Sequence, residues 1–158
     1  MLKKINPKDH FIELIKFEGE MMWFHGTSTS SLKKILASKK MKPFLADDDT
    51  FGEAVWFTND YEEVIDFAKQ RKSKIIAMKN SMLKKYKHQI ITAHMGMLKD
   101  FNLTQSEDIK LGANLVVFEK ISIKDAFLLQ SKDKFLPLIK IKTEKIKQSI
   151  KEMFYENI

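Results

Sequence analysis

The sequence predicts an α+β domain, and three observations carry that expectation. Short apolar runs at 21–25, 54–58 and 74–78, the first two carrying aromatics, have the length and composition of strands. Between them, Leu32, Ile35 and Leu36, and later Tyr61, Val64, Ile65 and Ala68, recur at helical spacing behind capping residues. The 158 residues contain no linker-like tract, so 1–158 reads as a single domain, and a 44% hydrophobic content with 12 Phe is enough to build a core.

Taken in order, residues 2–19 place Phe11, Leu14 and Ile15 on one face of a short leader helix. The run 21–25 (MMWFH) ends at Gly26 as a buried strand with a tight exit. Ser28, Thr29 and Ser30 offer capping hydroxyls to the helix carrying Leu32, Ile35 and Leu36, which the polar SKK and Pro43 end. Residues 44–52 (FLADDDTFG) read as an exposed loop, and Ala54 to Thr58 as the second strand. Asp60 caps the next helix, with Glu63 completing a capping box, and residues 74–78 form the third strand. Residues 80–104 are mostly helical in pattern, with an interruption near Gly96. Leu115 to Glu119 is β-rich, Ser122 to Leu129 leaves helix and strand open, and Leu138 to Lys142 alternates as a strand. A closing helix buries Ile146, Ile150, Met153 and Phe154.

Composition removes several chemistries. With no cysteine there is no disulfide, no thiolate metal site and no cysteine nucleophile. His10, His25, His88 and His94 form no close pair, so no metal is expected. The basic start meets Asp9, His10 and Glu13 before an apolar run of signal length develops, and no stretch approaches the roughly 20 apolar residues of a membrane span. A cytoplasmic protein without membrane association is the expectation. The net charge of +7 rests on lysine, since Arg71 is the single arginine. Bidentate base reading prefers the guanidinium, so sequence-specific DNA recognition is disfavoured, while phosphates or an acidic partner remain attracted.

The residues with chemical content begin at Phe24-His25-Gly26-Thr27. An imidazole closing a buried strand can bond a ribose hydroxyl, the glycine admits a ligand close to the backbone, and Thr27 adds a donor and an acceptor. Some 25 residues on stands Phe51-Gly52-Glu53-Ala54-Val55-Trp56-Phe57, in which Trp56 and Phe57 point to opposite strand faces. One can sit in the core while the other lines a cleft for a flat aromatic ligand. Taken separately, each piece also has an ordinary reading as core.

Together, in this order and with Phe67-Ala68 on the following helix, the two pieces resemble the diphtheria-toxin and poly(ADP-ribose) polymerase class of ADP-ribosyltransferases over about residues 22–70. In that class a His-Gly-Ser/Thr precedes F-G-x-G-I-Y-F and a tyrosine on the next helix. The resemblance implies two small packed mixed or antiparallel sheets forming an NAD cleft, with helices around them. It implies that His25 holds a ribose hydroxyl and that Gly26 meets the nicotinamide carboxamide. Trp56 would stand where the class has tyrosine, and Phe67 where an aromatic stacks on nicotinamide, with Thr27 and Phe57 alongside. NAD is then the substrate, and the acceptor a protein or a nucleic acid, as in toxin-like members.

The class also opens a later strand with a glutamate, and Asn114-Leu115-Val116-Val117-Phe118-Glu119 is its counterpart here. A neutral amide can orient ribose but cannot fully stabilise the charge that develops as nicotinamide leaves. Glu107 on an upstream loop and Glu119 at the strand's far end are the candidate substitutes, and Glu53 is a third nearby carboxylate. Two other classes of function compete with an NAD-cleaving transferase. One is an inactive module that binds NAD or ADP-ribose on the same scaffold, and the other is a lysine-rich nucleic-acid-binding protein with salt-dependent affinity.

Overall fold

The computed structural model describes residues 12–45, 50–92 and 112–141. Lys16–Phe17 (β1) and Glu20–Thr27 (β2) form an antiparallel hairpin, which replaces the last part of the expected 2–19 leader helix; residues 2–11 of that helix, with Phe11, lie outside the described ones. Its two-residue turn has φ of 51° at Glu18 and 80° at Gly19, the positive values that match a turn to the twist of the flanking strands. Ile15 accepts a main-chain bond from Met22 and is buried, so its apolar side chain serves a sheet and not a helix face.

Thr29–Ser38 (α1) follows, with the Ser28 side chain accepting from the Ser31 N–H. Lys40–Met41 (β3) and Phe44–Leu45 (β4) come next, and β4 pairs with Glu53–Thr58 (β5). Part of the expected 44–52 loop is therefore a strand, and residues 46–49 lie outside the described ones. Tyr61–Arg71 (α2) starts at Asp60, whose carboxylate accepts from the Glu63 N–H. Lys74–Lys79 (β6) leads into a single helical turn, Asn80–Leu83 (α3), and then His88–Thr92 (β7).

β7 corrects the helical reading of 80–104 as far as Thr92; the remainder of that stretch is outside the described residues. Ala113–Val117 (β8) and Ile121–Ser122 (β9) are followed by a 3₁₀ turn at Ile123–Asp125 and by Ala126–Ser131 (β10) and Lys134–Pro137 (β11). Leu138–Lys140 is a 3₁₀ turn with Leu138 buried, not the expected strand, because Pro137 has no N–H with which to carry the ladder on. The closing helix with Ile146 and Phe154 falls outside the described residues.

The architecture is α+β and its strand pairings are antiparallel. The main sheet runs β11-β10-β6-β2-β5-β8-β7, with β1 on β2 and β4 on β5, while β3 and β9 pair separately. Its halves are unequally joined. β2 matches β6 at six positions from Met22↔Lys79 to Thr27↔Lys74, but meets β5 only at Phe24↔Thr58. Trp23, Ile76 and Met78 from one half and Val55, Phe57, Leu115 and Val117 from the other share one core with Leu32 of α1. Met22, Phe24, Ile75 and Ala77 face the opposite way and pack on Val64 and Ala68 of α2. No helix among the described residues is long and apolar enough to cross a membrane.

Candidate functional site

Beyond Phe24↔Thr58 the ladder between β2 and β5 opens, and main-chain groups at the opening lose their strand partners. His25 fills one of these vacancies. Its Nδ1 lies 2.7 Å from the Trp56 carbonyl oxygen, which can only accept, so Nδ1 carries the proton. Burial pushes the imidazole below its ordinary pKa, against the raising effect of that bond, and the ring is neutral at pH 7. Nε2 is then a lone-pair acceptor, fixed in orientation by the Trp56 carbonyl.

Strand alternation divides the other candidates between two faces at this opening. His25, Thr27 and Phe57 lie on the face of the larger core. Thr27 is buried, and Phe57 is only 1% exposed with its ring centroid 5.5 Å from that of His25. Phe57 is thus a packing residue behind the histidine, and Trp56 is the half-buried member of the pair. Gly26, Trp56, Thr58 and Asn114 lie on the other face, as the pairings Phe24↔Thr58 and Thr58↔Asn114 require. On that face Phe67 of α2 covers Gly26. A Cβ added at Gly26 would meet the Phe67 ring at 3.0 Å, so glycine here permits a close approach of helix to strand. The Arg71 guanidinium lies over the same ring, 4.6 Å from its centroid.

Trp56 makes an edge contact with Phe51, ring centroids 5.8 Å apart, and its Nε1–H is buried with no acceptor among the described residues. Trp23 is the contrast, since its Nε1 donates to Asn80 Oδ1 at 2.9 Å. Asn114 is half-buried in β8, beside Thr58. Glu119 is exposed beyond the opposite end of β8, and its carboxylate accepts the Lys87 N–H, so it ties β8 to the approach to β7 and stands away from the opening. Glu53 is exposed at the start of β5. Glu107 lies outside the described residues.

On the core face the opening leads into a cavity of about 860 Å³ between the end of β2, α1 and the 40–44 segment. His25, Gly26 and Thr27 form one wall, and Ile35, Met41 and Phe44 supply apolar surface. The charged groups of its lining are Lys34, Lys40 and Lys42. Composition had suggested only a diffuse basic surface. That these lysines share a cavity follows from the turn joining α1 to β3, where Ser38 Oγ bonds Lys40 main-chain atoms, and the spacing of lysines alone does not reveal it.

No protein-family model matches the chain, and no curated protein or solved structure matches it either. A functional reading therefore rests on the chain's own residues.

Proposed function

We propose that the chain is an ADP-ribosyltransferase-like domain that binds NAD across the opening between β2 and β5. The observation that supports this best is the His25–Trp56 bond. It makes Nε2 an oriented acceptor for a ribose hydroxyl at the wall of the cavity. The adenosine and diphosphate end would occupy the lysine-lined cavity, and the nicotinamide ribose would lie at His25 on the cavity's wall. In the reaction the C–N bond to ribose breaks, neutral nicotinamide leaves with the bonding pair, and an acceptor nucleophile takes C1′ and loses its proton. The acceptor is a protein or a nucleic acid.

A second reading, an NAD- or ADP-ribose-binding module without turnover, is favoured by Asn114. An amide beside Thr58 can hold a ribose hydroxyl but carries no charge to offset an oxocarbenium-like centre. The two readings separate in one experiment, release of labelled nicotinamide by the wild type and by Asn114→Glu. Release that rises in the variant supports a transferase site at Asn114. NAD binding with no release from either protein supports the module.

A further inference from the structure

The three lysines of the cavity lining have exposed side chains carried on a backbone that the fold fixes. Lys40 and Lys42 flank Met41, which is 1% exposed in the larger core, so the alternation that buries Met41 sends both lysines to the same side. Pairing of Lys40 with Ser122 and of Met41 with Ile121 fixes that strand, and Ser38 Oγ fixes the turn before it. Lys34 of α1 lines the same cavity, as do the hydroxyl residues Ser28 and Ser31. Lysine serves phosphate as a point charge, without the planar fork that would select a carboxylate.

Charge counting then goes beyond a plain diphosphate. The linkage in NAD carries about two negative charges, whereas a further phosphate monoester adds about 1.5 to 2 at neutral pH. We infer that Lys34, Lys40 and Lys42 make the cavity selective for a dinucleotide bearing an additional phosphate on its adenosine ribose, so that NADP binds in preference to NAD. This rests on the reading of the opening as a dinucleotide site. It assigns these lysines to specificity and leaves the reacting end to His25.

Titration calorimetry of the full chain with NAD, NADP and adenosine 2′,5′-bisphosphate tests it. At low salt NADP binds about fivefold or more tightly than NAD, an advantage that shrinks as salt screens the lysines. The combined Lys34→Gln, Lys40→Gln and Lys42→Gln variant, with its fold checked by circular dichroism, loses the preference. Equal affinities, or tighter NAD binding, overturn the selectivity and leave the dinucleotide reading standing. Binding of the bisphosphate alone, with neither dinucleotide bound, overturns the dinucleotide reading and with it the preference. A preference that survives in the triple variant removes the lysines as its cause.

Discussion

His25 donates its Nδ1 proton to the main-chain carbonyl of Trp56, 2.7 Å away, at the place where β2 and β5 cease to pair. A side chain there takes over the task of a missing ladder bond, and in doing so fixes its own tautomer. Structure and candidate chemistry are thus joined in one group.

That coupling predicts two separable losses. His25→Ala strands the Trp56 carbonyl and destabilises the fold by about 1–3 kcal/mol in denaturant unfolding. His25→Asn keeps a donor and is expected to recover part of the stability while still losing NAD affinity.

The two tryptophans are predicted to respond differently to removal of the indole N–H. Trp23 is fully buried and bonded to Asn80, so Trp23→Phe loses the bond, strands the amide and leaves a void, at a cost of about 2–4 kcal/mol. The buried Nε1 of Trp56 has no acceptor among the described residues, and Trp56→Phe is expected to cost less than about 1 kcal/mol. Urea titrations of both variants compare them directly, and equal costs would show that the Trp56 N–H is satisfied after all.

Much of this arrangement is legible in the sequence, and the parts that are not have physical causes. Ser28 and Asp60 announce their helices because capping is a local interaction, and the structure shows both side chains accepting from the N–H three residues on. β7 is hidden because Ile90 and Ile91 also fit a helical spacing, and only the distant partners Leu115 and Asn114 decide for a strand. The turn at Glu18-Gly19 is a local feature that the helical spacing of Phe11, Leu14 and Ile15 masks in the sequence. At the site, the alternation of Trp56 and Phe57 is legible from the strand alone. The bond from His25 to the Trp56 carbonyl is not, because it depends on the ladder opening after a single pair.

Gly26 is predicted to be coupled to Phe67. Gly26→Ala brings a methyl group to 3.0 Å from the Phe67 ring and is expected to destabilise by about 1–2 kcal/mol. Combining it with Phe67→Leu relieves the contact, so the double variant is more stable than the sum of the single changes requires. Strict additivity in a double-mutant cycle would contradict the contact.

Lys74 gives a pH dependence. It is fully buried at the start of β6, beside Thr27, and burial brings its pKa from 10.5 down to about 7. Between those values the unfolded chain binds more protons than the folded one, so this group makes stability rise with pH from about 7 toward 10.5. Below about 7 both states are protonated and its contribution is flat. Thermal unfolding of wild type and Lys74→Met across this range is expected to show the rise in the wild type only.

The central claim is that NAD occupies the opening at His25, and calorimetric titration of NAD into wild type and His25→Asn tests it most directly. The account predicts saturable binding to the wild type that weakens about tenfold or more in the folded variant, the loss of a buried hydrogen bond to ribose. Equal affinity in the two proteins, or no NAD binding to a folded wild type, would contradict it.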